Sequence, residues 1–119
     1  MLDARKGLKM FDKVNVPVLG VVENMSTHIC SKCGHEERIF GEGGGQRMST
    51  EENVSFLGAL PLDMSIRQLA DDGKPTVFSE PDSRITEIYK EIARKVAAKL
   101  ALKARDYSNK FPKIVIKND

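Results

Sequence analysis

Val16-Pro17-Val18-Leu19-Gly20-Val21-Val22 is the stretch on which the fold turns. It is a continuous apolar run, rich in valine, with no polar residue alternating through it. Side chains branched at Cβ favour extended backbone, and a run without alternation predicts a parallel strand buried on both faces. Pro17 has no N–H to give to a ladder, so it belongs at the start of that strand. A parallel strand needs a neighbour reached by a crossover. Phe56-Leu57-Gly58-Ala59-Leu60, closed by Pro61, is the one firm partner the chain offers. Two strands alone make a poor sheet. The pattern therefore predicts either a portion of a larger α/β fold or a chain that pairs with another polypeptide.

Working outward, the remaining elements flank this sheet. Residues 3–12 read as a helix ending near Asp12, with Leu8 and Phe11 able to share a face. Residues 45–53 read as a short helix. Asp63 or Ser65 can cap another that runs to Asp72, with Gly73 at its end and Pro75 beyond. Ile85, Ile88, Ile92, Val96 and Leu100 recur at helical spacing and predict a helix from about Asp82 to Ala104 that covers one face of the sheet. Residues 105–119 form a tail in which Lys-Ile-Val-Ile-Lys at 113–117 could be an edge strand. The whole of 1–119 is read as one domain, since 119 residues can bury one core but not two.

Apolar residues make up 40% and charged residues 30%, the balance of a soluble globular chain. The net charge of +2, with basic and acidic residues interspersed, argues against nucleic acid or anionic lipid as partner. No apolar run reaches membrane-spanning length, and Met1–Met10 lacks the apolar core of a signal peptide. The expected compartment is the cytoplasm, where thiols stay reduced.

The chemistry lies in His28-Ile29-Cys30-Ser31-Lys32-Cys33-Gly34-His35, inside a knuckle or hairpin at about 27–40. Cysteines two residues apart can aim both sulfurs at one metal, Gly34 permits the tight turn, and Lys32 between them favours thiolates. Structural zinc sites and iron–sulfur cubanes usually take four ligands, and this chain has two cysteines. Three completions are open. A second copy can add its own pair across a two-fold axis. His28 and His35 can join the cysteines around a zinc within one chain. Or the pair can be a redox dithiol, although Gly34-His35-Glu36 is a weak start for the helix that such a motif opens.

Gly41-Glu42-Gly43-Gly44-Gly45 leads into a helix, where it can act as a hinge or cradle an anion on backbone N–H groups. It is not a phosphate loop of the G-x-x-x-x-G-K-[ST] kind, and none exists in the chain. Asn24 lies just past the C-terminal end of the first strand, the edge where open α/β sheets bind ligands. It can serve as a turn residue there or present its amide to an adenine edge. Pro61-Leu62-Asp63 follows the second strand at the same edge.

Taken in order, the pieces resemble a known family. Val16–Ser26, Cys30-x-x-Cys33-Gly34, Ile39-Phe40-Gly41-Glu42-Gly43-Gly44-Gly45, Phe56–Asp63, Ile66-Arg67 and Gly73-Lys74-Pro75 together resemble the C-terminal part of the Mrp/ApbC iron–sulfur cluster carriers. Those are P-loop ATPases related to the MinD and ArsA group. The resemblance covers nearly the whole chain. It implies a partial parallel sheet of a P-loop NTPase-like fold, flanked by helices and carrying the CxxC knuckle. It also implies a homodimer holding a [4Fe–4S] cluster on Cys30 and Cys33 of both copies, and transfer of that cluster to apo iron–sulfur proteins. ATP is implied through a partial site, with Asn24 near the adenine and Pro61 and Asp63 close by. The family's Walker A loop, switch regions and Mg²⁺-binding acidic residue have no counterpart in these residues, so the chain alone is not expected to hydrolyse ATP. The alternative function is a zinc-knuckle interaction module that transfers no cluster.

Overall fold

The computed structural model describes residues 2–30, 32–39, 41 and 43–103. It is a mixed α/β structure with a small parallel sheet. In chain order the elements are α1 (Leu2–Lys13), β1 (Val21–Glu23), β2 (His28–Ile29), β3 (Glu36–Glu37), α2 (Gly44–Glu51), β4 (Phe56–Ala59), α3 (Met64–Asp71), α4 (Thr76–Ser79) and α5 (Arg84–Leu102). The expected tail strand at 113–117 lies outside the described residues.

Strands β1 and β4 pair in parallel, Val21 opposite Phe56, Val22 opposite Gly58 and Glu23 opposite Ala59, with an irregularity after Val21. Two close approaches set this arrangement. Gly20 lies where a Cβ would come within 2.6 Å of both Leu57 Cγ and the Ser55 carbonyl oxygen. A Cβ on Gly58 would come 2.7 Å from Ile92 Cγ1, so the bare backbone lets α5 settle on β4. Lys95 continues the same contact, its Nζ donating to the Leu57 carbonyl at 2.9 Å. Met48, Leu57, Leu60 and Ile85 form the buried apolar core.

The strand expected over Val16–Val22 is shorter than the apolar run and is not covered on both faces. Only its end is paired, and Val16 and Val22 remain 47% and 39% exposed. A doubly buried parallel strand needs a neighbour on each edge and a layer on each face, and β4 is its one partner among the described residues.

The helix limits have local causes. Asp63 accepts the Ser65 N–H at 2.7 Å and caps α3, which ends before Gly73 at φ 68°. Ser83 accepts the Thr86 N–H at 3.1 Å and caps α5. The short α4 begins after Pro75 and is tied to α5 by the Thr86 hydroxyl, which donates to the Glu80 carbonyl at 2.7 Å and lies 3.2 Å from that of Thr76. Arg5 of α1 pairs with Glu51 and, at 2.9 Å, with Glu52 at the end of α2. No helix of the described residues is long and apolar enough to cross a membrane.

Candidate functional site

The two-residue strands β2 and β3 form an antiparallel hairpin, His28 opposite Glu37 and Ile29 opposite Glu36. Its turn is closed from both sides. The Cys30 N–H donates to the His35 carbonyl at 2.9 Å, and the Gly34 N–H donates to the Cys30 carbonyl at 2.8 Å. Gly34 takes φ 70°, which lets the chain turn back after the second cysteine without a Cβ penalty. Cys30 is half-buried and Cys33 exposed, both as free thiols.

The turn favours the thiolate at its first cysteine. The Cys30 thiol is held below the ordinary thiol range, first by the backbone N–H of Cys33, then by that of Lys32 and by the Cys33 side chain, while burial and Glu37 pull the other way. Donors directed at a sulfur favour thiolate, the form that binds metal. The histidines do not complete the site. His35 Nε2 lies 3.5 Å from Glu37 Oε1, on the outer surface. Among the described residues no group of three or more His, Cys, Asp or Glu side chains converges. The single-chain zinc arrangement of Cys30, Cys33, His28 and His35 is therefore not assembled.

Beyond the sheet, the strand ladder continues into the hairpin. The Leu60 N–H donates to the Glu23 carbonyl at 2.8 Å, the Ser26 N–H to Leu60 at 2.9 Å, and the Leu62 N–H to Thr27 at 2.6 Å. The Ser26 hydroxyl also donates to the Leu60 carbonyl, at 3.0 Å. Residues 24–28 thus run beside 60–62, and this brings Asn24, Pro61 and Asp63 to one end of the sheet, the C-terminal end of both strands. There Asn24 is exposed, its Oδ1 accepting the Met25 N–H at 2.9 Å, Pro61 is buried, and Asp63 carries its capping role. Three residues, Met25, Ser26 and Thr27, separate Asn24 from the start of the cysteine hairpin at His28.

A cleft of about 280 Å³ lies beneath the hairpin, bounded by Glu23, Ile29, Arg38, Phe56, Arg84 and Ile88. Arg84 reaches across it to Glu36 at 3.9 Å. The glycine stretch behind the hairpin does meet an anion, but one from within the chain. The Gly45 N–H donates to Glu23 Oε2 at 3.1 Å. Sequence reasoning passed over Glu23, Glu36 and Arg84. The available signal for Glu23 was its position as the one carboxylate ending an apolar strand run.

Residues 1–97 match the ParA-type family model described as the NUBPL iron-transfer P-loop NTPases. The chain belongs to that family. It is 60% identical over 93 residues to an iron–sulfur cluster carrier protein of Pseudomonas fragi, which covers 78% of this chain and 32% of that protein. It is 46% identical over 100 residues to the mouse iron–sulfur cluster transfer protein NUBPL, covering 84% of this chain and 31% of the mouse protein. Among solved structures it is similar to a nucleotide-binding protein of Archaeoglobus fulgidus in complex with ADP, with a TM-score of 0.55 and 28% identity. That likeness covers 71% of this chain and 33% of the other. The chain thus spans about a third of the length of the relatives it matches. Family membership and the P-loop nucleotide-binding fold agree with the resemblance read from the sequence.

Proposed function

We propose that this chain is the cluster-binding portion of an iron–sulfur cluster carrier, and that Cys30 and Cys33 of two copies hold a [4Fe–4S] cluster as cargo for apo iron–sulfur proteins. The observation that carries the reading is the cysteine hairpin itself. It presents two free thiols two residues apart on one tight turn and has no third ligand beside it among the described residues. Two ligands are half of what a cubane takes, and a two-fold axis through the exposed turn supplies the other half. The names of the relatives, cluster carriers and transfer proteins, support the cargo.

Asn24, Pro61 and Asp63 form the base side of an ATP site in this reading. Their meeting at the C-terminal edge of a parallel sheet supports it, as does the ADP bound by the Archaeoglobus fulgidus protein. The phosphate-binding loop is not among these residues, so the chain by itself binds nucleotide weakly and does not hydrolyse it. The setting proposed is the cytoplasm, where exposed thiols stay reduced.

The test is anaerobic reconstitution of the chain with iron and sulfide, followed by absorbance and iron analysis. A broad visible band lost in Cys30→Ser and in Cys33→Ser supports the reading. A colourless protein that takes up zinc alone sinks it and leaves a structural knuckle.

A further inference from the structure

The hairpin is joined to the body by an incoming strand and an outgoing helix, and one residue bonds to both sides, through its carbonyl on the strand and its carboxylate on the helix. Glu23 ends β1. Its carbonyl accepts the Leu60 N–H at 2.8 Å, which fixes the strand running into the hairpin against β4. Its carboxylate accepts the Gly45 N–H at 3.1 Å in the first turn of α2, where the chain has just left the hairpin. The fit is close. A Cβ on Gly45 would lie 2.9 Å from Glu23 Cβ, 3.0 Å from Oε2 and 3.2 Å from Phe56 Cε2. Gly43, immediately before α2, turns the chain at φ 58°. A carboxylate at a helix N-terminus is favoured by the aligned peptide dipoles, and a hydrogen bond to a charged acceptor is stronger than a neutral one. The ladder bonds at Ser26 and Thr27 hold only the incoming strand, and Arg84 to Glu36 is 3.9 Å long and solvent-exposed, a pairing of little strength.

We propose that Glu23 is the positioning residue of the cysteine pair. It holds the incoming strand and the outgoing helix in one register, so that Cys30 and Cys33 stand at a fixed separation. The inference rests on reading Cys30 and Cys33 as ligands, but its first consequence needs no cluster.

The experiment compares the full chain with Glu23→Ala and Glu23→Gln. Amide hydrogen exchange is followed at Cys30, Gly34 and Gly45. Loss of the acceptor in Glu23→Ala speeds exchange at all three by roughly tenfold, and Glu23→Gln, which keeps an oxygen acceptor, stays within about threefold of the unsubstituted chain. Acceleration confined to Gly45 overturns the proposal, whether or not a cluster binds. In a second arm, reconstituted protein is treated with an iron chelator. Release is roughly tenfold faster in Glu23→Ala, with an altered visible circular dichroism spectrum, and is recovered in Glu23→Gln. Equal release rates in the two forms overturn the proposal. If the unsubstituted chain takes up no cluster, the cluster reading has failed and the exchange result alone decides the role of Glu23. If Glu23→Ala does not fold, Glu23→Asp, one methylene too short to reach Gly45, takes its place in both arms.

Discussion

Replacing Thr86 by valine tests the corner that supports the cleft. Thr86 is 0% exposed, and its hydroxyl ties the end of α4 to the first turn of α5. Valine keeps the volume and the branching and removes only the hydroxyl. The two carbonyls it leaves are not orphaned. That of Glu80 still accepts the Ser83 N–H at 3.1 Å, and that of Thr76 still accepts the Glu80 N–H at 2.8 Å. The cost is therefore that of one net hydrogen bond, about 1 kcal/mol, rather than the larger penalty of a stranded buried acceptor. For a chain of this length that is a fall of about 4 °C in Tm. Thermal unfolding followed by far-ultraviolet circular dichroism measures it. Hydrogen exchange should show the loss concentrated in α4 and the first turn of α5. A Thr86→Val variant as stable as the parent, or more stable, would refute the argument that this hydroxyl fastens the corner.

Three further outcomes are expected. Gly58→Ala destabilises by about 1–3 kcal/mol because its Cβ meets Ile92, and in the double variant with Ile92→Ala the two losses add to less than their sum; simple additivity in denaturant melts would contradict the contact. Asp63→Ala loses about 1 kcal/mol with the α3 cap while Asp63→Asn loses only a few tenths, and equal losses in the two would show that capping is not the cause. Alkylation of Cys30, followed by peptide mapping, has its pH midpoint below the 8.5 or so of a free thiol. Since the folded value is the lower one, this group favours the folded state above the unfolded thiol pKa, and the gain is lost as pH falls through the folded value. A midpoint at or above that of a free thiol would remove the N–H donors from the account.

Much of the local structure around the candidate site was legible because its signals are local. The CxxC spacing with Gly34 foretold a tight hairpin, and of the two caps expected, Asp63 or Ser65, Asp63 holds α3, which ends at Asp71, one residue before the expected limit. The isoleucine spacing gave α5 almost to its ends, Arg84 and Leu102. What the sequence hid depends on partners distant in the chain or on neighbours not found among the described residues. The valine run promised a long buried strand, but pairing is decided by what lies alongside, and β4 reaches only its last residues. Helix α4 has four residues, too few to show a period, and it is held by a threonine ten positions from Thr76. Glu23 meets Gly45 across 22 positions, and no spacing rule announces that contact. Of the glycine stretch, the Gly45 N–H meets this carboxylate.

The central claim is a cluster shared between two copies, and native mass spectrometry of the anaerobically reconstituted chain tests it most directly. The account predicts a species of two chains carrying one cluster of four irons and four sulfides, reverting to apo monomer in Cys30→Ser. A single chain carrying its own metal, with no two-chain cluster species, would contradict it.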